Sequence, residues 1–160
     1  MNGSEDDDAV YGGAGNDVLL SGYGLDTLYG GTGNDRLSVD FENQVAYGGD
    51  GTGDLLKLFW HDPAGSLAPV VLSSDIATVA DLSIAITGIE RFDITTSYGD
   101  DTIETGDGAD LIAVLHGANV VDAAGGDDSV FYRHLPERRG RASLGHPHPV
   151  TPCKHVHHLR

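Results

Sequence analysis

A nine-residue period carrying aspartate in a fixed phase is the feature that most limits what this chain can fold into. Counted from Gly3, the chain reads GSEDDDAVY (3–11), GGAGNDVLL (12–20), SGYGLDTLY (21–29) and GGTGNDRLS (30–38). Each unit places Asp sixth and Val or Leu eighth. The next unit, VDFENQVAY (39–47), keeps the length but has Gln44 and Ala46 at those places. In GGDGTGDLL, which starts at Gly48, Asp54 comes one place late, and this reads as a one-residue insertion that restores Leu56 two places after the Asp. A second block runs TSYGDDTIE (96–104), TGDGADLIA (105–113), VLHGANVVD (114–122) and AAGGDDSVF (123–131). Asp101, Asp110, Asn119 and Asp128 stand sixth there, and Ile103, Ile112, Val121 and Val130 eighth.

The period has a direct structural meaning. Six residues rich in Gly, Asn and Asp form a turn, because Gly takes positive φ without steric cost and Asn or Asp tolerates the left-handed region. The remaining three, polar–apolar–polar, form a minimal strand with one side chain directed inward. Two turns and two strands close a coil of eighteen residues, so units n and n+2 stack on the same side. Coils at a spacing of about 4.8 Å bring the sixth-position carboxylates together. Without a cation between them they repel.

Charge sharpens this expectation. Residues 1–131 hold 24 of the 25 acidic residues against Arg36, Lys57 and Arg91, whereas residues 132–160 hold six Lys or Arg and only Glu137. The body therefore repels nucleic acid and anionic membranes and needs cations to become compact. The single cysteine, Cys153, excludes a disulfide framework. No run of about 18 apolar residues predicts a membrane span. The acidic start lacks the basic-then-apolar plan of a cleaved secretory signal; a fragment, or a protein exported by a signal elsewhere, would start in the same way.

These units resemble the glycine-rich nonapeptide of the repeats-in-toxin (RTX) hemolysin-type family, GGxGxD followed by x, a bulky apolar residue and x. The resemblance covers residues 3–56 and 96–131. It implies an all-β fold, a right-handed parallel β-roll (a β-solenoid) in two repeat blocks, with calcium ions held between turns n and n+2. Calcium suits such turns, since it takes six to eight oxygen ligands, carboxylate and carbonyl together, at about 2.3–2.6 Å. Magnesium wants a tighter octahedron, and zinc wants His or Cys, which the turns lack. Carried over to this sequence, the family pattern makes Asp8, Asp17, Asp26, Asp35, Asp54, Asp101, Asp110 and Asp128 the metal ligands. Complete pairs are Asp8 with Asp26, Asp17 with Asp35, and Asp110 with Asp128. The pairs Asp26 with Gln44, Asp35 with Asp54, and Asp101 with Asn119 depart from the pattern, and weaker or empty sites are expected there.

Residues 57–95 lose the repeat but keep β character in PVVLSS, LSIAIT and IERFDIT. They read as longer, irregular β coils joining the blocks, with a short helix over 76–82 as an alternative. The TGIERFDI stretch is similar to segments found beside such repeats. FWHD joins Trp60 to a possible base, His61, and to Asp62; the simpler reading is that Phe59 and Trp60 close the first block's core. His116 reads as a solvated loop residue. The expected domain is thus 1–131, followed by a basic tail, 132–160, whose Arg, His and Pro content predicts disorder. That tail is unlike the body in every respect, as an appended or out-of-frame end would be. Cys153, His155, His157 and His158 do not have the spacing of a structural zinc site.

The sequence favours a non-enzymatic, calcium-triggered folding module of a secreted protein over a secreted hydrolase. HExxH and GxSxG are both absent, and no Ser, His and Asp lie in a nucleophile context. A catalytic domain, if the parent protein has one, lies elsewhere. An adhesin or ice-binding face would need an outward Thr ladder, which Thr27, Thr32 and Thr102 do not make. The resemblance implies export as an unfolded chain through type I secretion. An incompletely capped solenoid end also predicts weak self-association.

Overall fold

The computed structural model describes residues 1–39, 44–59, 70–73, 76–79, 82–96, 98–115 and 117–132. Among them are fourteen strands and no helix. One sheet has eight strands in the order β1 (Ala9–Ala14), β3 (Thr27–Thr32), β5 (Val45–Asp50), β9 (Leu82–Thr87), β8 (Ile76–Val79), β7 (Val70–Ser73), β11 (Thr102–Glu104) and β13 (Val120–Asp122). The other has six: β14 (Ser129–Tyr132), β12 (Leu111–Val114), β10 (Arg91–Thr95), β6 (Leu55–Phe59), β4 (Arg36–Val39) and β2 (Val18–Leu20). Successive strands alternate between the sheets through both repeat blocks, which is the winding of a β-solenoid.

Parallel pairing sets the coil at eighteen residues. Val10 lies beside Leu28 and Leu28 beside Ala46 on one sheet, and Leu19 beside Leu37 on the other. Each of these eighth-position side chains is buried, and Leu19, Leu28 and Leu37 are fully so. Full burial of one such side chain contributes about 1.5–3 kcal/mol, which makes the narrow column between the sheets the main apolar stabilisation. Leu37 pairs with Leu56 across a coil one residue longer. Thr52 still donates its N–H to Asn34 Oδ1, as Asn34 does to Asn16 Oδ1 one coil before. The inserted residue is therefore Gly53, between the register-keeping Thr52 and Asp54.

The segment between the blocks is more regular than its sequence. β9 pairs in parallel with β5, Ala46 beside Ile86, and β10 with β6, Leu56 beside Phe92, so residues 82–95 continue the stack with a shortened turn. Two extra strands, β7 and β8, enter the eight-stranded sheet as an antiparallel meander with β9, and β7 then pairs in parallel with β11. Residues 76–79 are a strand, which corrects the helical alternative. Ile, Thr and Val fill three of its four places, and a neighbouring strand on each edge satisfies its backbone. The extra pair widens one sheet by about 10 Å relative to the other, at about 4.8 Å per strand.

The blocks also meet out of phase. Ile112 lies beside Ile94, Ile94 beside Leu58, and Leu58 beside Val39. The eighth-position column of the second block thus continues the tenth-place residues of the first, a shift of two. Because side chains alternate with period 2, a shift of two keeps every apolar residue facing inward.

The two ends differ. At the start, Asn2 bridges Leu20, with Gly3 N–H on the Leu20 carbonyl and Leu20 N–H on the Met1 carbonyl, and this short rung helps to bury Leu19. At the other end, Val121 and Val130 are only partly buried. β14 runs to Tyr132, one residue past the last nonapeptide.

Candidate metal centre

The turns stack so closely that they depend on glycine. Gly31 and Gly33 have φ of 112° and 121°, and a Cβ on either would collide with the carbonyl of Gly13 or Gly15 in the coil below. Both the left-handed bend and the close approach exclude other residues.

Sixth-position side chains from Asp26 onward lean back over the preceding coil. Asp26 Oδ1 accepts the N–H of Asp8 at 2.9 Å, Asp35 Oδ1 that of Asp17 at 2.8 Å, and Asp54 Oδ1 that of Asp35 at 2.7 Å. In the second block, Asn119 Oδ1 accepts from Asp101 at 2.9 Å and Asp128 Oδ1 from Asp110 at 3.0 Å. The structure therefore brings together Asp8 with Asp26, Asp17 with Asp35, Asp35 with Asp54, Asp101 with Asn119, and Asp110 with Asp128. The insertion does not set Asp35 and Asp54 apart from the regular pairs. Gln44 instead donates from Nε2 to the Gly24 carbonyl at 3.3 Å.

In Asp35 and Asp54 one oxygen of the carboxylate is thus used, and the other is not. The Oδ2 atoms of Asp17, Asp35 and Asp54 are buried with no hydrogen-bond donor. A buried acceptor left in this way costs about 1–3 kcal/mol, and more when charged. Several such atoms in series mark a place where a further group, a cation among them, can be bound.

The space for it lies beside the first glycine of each turn. A Cβ on Gly30 would meet Asp35 Oδ2 at 2.5 Å and the Gly48 carbonyl oxygen closer still; one on Gly12 would meet Asp17 Oδ2 at 3.1 Å and the Gly30 carbonyl. Carboxylate and carbonyl oxygens from successive coils thus converge where a side chain is missing. This all-oxygen donor set fits calcium. No group of three or more His, Cys, Asp or Glu side chains gathers for a metal among the described residues. Two carboxylates and backbone carbonyls are the available set.

The second block differs at the same place. Thr96 and Thr105 stand first in their turns and are buried, where the first block has mostly Gly. Burial pushes the Asp101 carboxyl above the usual carboxylate range, opposed by the Thr96 hydroxyl and the Val70 N–H. Burial raises Asp110 in the same way, against the Thr105 hydroxyl and the Phe92 N–H, with Asp128 adding to the rise. Their Oδ2 atoms still lack a well-formed hydrogen bond, so each nearby hydroxyl relieves only part of the cost. Asp54 is raised chiefly by burial, with Glu90 and Asp35 adding to it and the Asp35 N–H opposing.

Three features escaped the sequence reading. Fifth-position side chains make a second ladder in the opposite sense: Asp7 accepts from Leu25, Asn16 from Asn34, and Asp100 from Ala118, each eighteen residues later. Their recurrence at one phase was visible in the sequence but read only as turn chemistry. The hydroxyls of Thr96 and Thr105 are the second feature, and Glu90, whose Oε2 accepts the Asp54 N–H at 2.9 Å, is the third. Trp60, His61, Asp62, His116 and the tail with Cys153, His155, His157 and His158 lie outside the described residues.

No curated protein matches this chain. A family model for the RTX calcium-binding nonapeptide repeat matches residues 2–38 and 95–130, in four copies. The turn that carries Asp54 lies between those segments and stacks as they do. The chain thus carries RTX calcium-binding nonapeptide repeats over residues 2–38 and 95–130.

Proposed function

We propose that this chain is a calcium-triggered folding and stabilising module of a secreted protein, without catalytic activity of its own. Asp8, Asp17, Asp26, Asp35, Asp54, Asp101, Asp110 and Asp128 hold the ions, each between turns of neighbouring coils. The observation that carries this reading is the series of buried Asp17, Asp35 and Asp54 Oδ2 atoms without donors. They are costly in an ion-free roll and become ligands once calcium is bound.

The mechanism follows from charge and burial. Ion-free, the acidic body repels itself, and one aliphatic side chain per nine residues offsets poorly about 1–2 kcal/mol of backbone entropy per residue. Calcium neutralises the facing carboxylates, so its binding free energy becomes folding free energy. Extracellular calcium sites, with affinities of about 10⁻⁴–10⁻³ M, fill outside the cell and stay empty in cytosol. A chain of this kind stays unfolded until exported, which suits type I secretion. Residues 1–131 form the module and 132–160 a separate basic tail. The partly buried Val121 and Val130 at the last coil support weak self-association through that end.

Flow dialysis of the whole chain against calcium tests the reading. Several ions per chain, not displaced by equimolar magnesium, are expected. A chain that takes up no calcium at millimolar concentration refutes it.

A further inference from the structure

We propose that Asp54 and Glu90, with the carbonyl oxygen of Gly88, form an additional calcium site at the junction between the two repeat blocks. This rests on the reading of the stacked turns as calcium sites and extends it to a turn that is not a nonapeptide. Residues 87–90, Thr-Gly-Ile-Glu, have neither the glycine spacing nor the aspartate of the repeat and lie outside the matched segments.

Three relationships place this turn as the next rung of the column. Asp54 N–H donates to Glu90 Oε2 at 2.9 Å, as Asp17 N–H does to Asp35 at 2.8 Å and Asp35 N–H to Asp54 at 2.7 Å. Glu90 thereby stands where the sixth-position Asp of the next coil would stand. The Gly88 carbonyl oxygen closes on Gly48 as the Gly48 carbonyl closes on Gly30 and the Gly30 carbonyl on Gly12. The N–H groups of Glu90 and Arg91 both reach the Asp54 carbonyl, at 3.2 and 2.9 Å, and fix the short turn against the longer one.

The second observation is the Asp54 side chain itself. It is fully buried, and its Oδ2 has no donor. That oxygen lies 2.8 Å from the point a Cβ on Gly48 would occupy, and the Gly88 carbonyl converges on the same point. The nearby basic groups are engaged elsewhere, Lys57 with Asp93 at 3.1 Å and Arg91 Nε with the Ala109 carbonyl. The extra methylene of Glu compensates for a turn in which the carboxylate follows Gly88 by two residues, whereas Asp54 follows Gly48 by six. Carboxylates of either length and backbone carbonyls are ordinary calcium ligands.

Calorimetric calcium titration of the whole chain, as wild type, Glu90→Gln and Glu90→Asp, tests the site. Gln keeps an acceptor for the Asp54 N–H but removes the charge; Asp keeps the charge. The expected result is one ion fewer for Glu90→Gln and an unchanged count, at lower affinity, for Glu90→Asp. If both variants lose the same number of ions, or neither loses any, the charge at residue 90 is not a ligand and the inference falls. A wild-type chain that binds no calcium overturns the broader reading and this site with it. A normal wild-type count with an unchanged Glu90→Gln overturns this site alone.

Discussion

Asp35 accepts the backbone N–H of Asp17 through Oδ1 at 2.8 Å, and its own Oδ2 is buried without a donor. One half of the carboxylate thus fastens two coils together, while the other half has no hydrogen-bond donor. This division of labour separates two kinds of substitution.

Asp17→Ala removes an orphaned oxygen from the pair with Asp35 but leaves the bond from the Asp17 N–H to Asp35 in place. It is expected to abolish one calcium site and to lower calcium-dependent stability by about 1–3 kcal/mol. Gln44→Ala removes a side chain that bonds the Gly24 carbonyl at 3.3 Å, and is expected to leave the ion count unchanged. Calcium titration by calorimetry distinguishes them. Equal losses of bound ions would mean that Gln44 is also a ligand.

The space beside the first glycine gives a separate test. Gly30 does not have positive φ, so the strain in Gly30→Ala comes from contact alone: its methyl falls where Asp35 Oδ2 and the Gly48 carbonyl converge, and the coil above must shift to admit it. Reduced calcium affinity is expected, together with a lower midpoint of thermal unfolding in saturating calcium. Gly106→Ala is the control, because a Cβ there meets nothing within 4 Å. Similar behaviour of the two variants would show that the space beside Gly30 is not used.

Much of the stacking at this candidate site was legible because the geometry of its turns is narrow. Only a short acceptor at the sixth place can bond the amide of the preceding coil and still face the next turn, so Asp recurs there, and even the insertion before Asp54 could be read. The two-residue shift between Leu56 and Ile112 was not legible. Inward-facing residues alternate with period 2, so two registers that differ by two bury the same side chains. Glu90 was hidden for a related reason: its role depends on β10 pairing with β6 across an intervening meander. The strand over residues 76–79 likewise takes its state from neighbours on both edges, which local sequence does not specify.

The raised carboxyls of Asp54, Asp101 and Asp110 predict a pH effect in the absence of calcium. A carboxyl whose folded pKa lies above its unfolded value favours the fold fully below the unfolded value, and that contribution is lost as pH rises through the folded pKa. Acidification from neutral pH towards the ordinary carboxylate range should therefore increase β structure in calcium-free solution. In the same window protons compete with calcium, so apparent calcium affinity falls. Circular dichroism and calcium titration across pH 4–7 check both directions, where about 4 is the ordinary carboxylate value. A calcium-free chain that loses β signal on acidification would contradict the assignment of these carboxyls as desolvated.

The central claim is that calcium, more than the narrow apolar column, holds the roll together. Far-ultraviolet circular dichroism of the whole chain at neutral pH, first with excess EGTA and then with millimolar free calcium, measures this directly. A largely disordered spectrum that converts to β on calcium addition, and reverts on chelation, is the predicted result. A β spectrum that persists unchanged after complete chelation would contradict it.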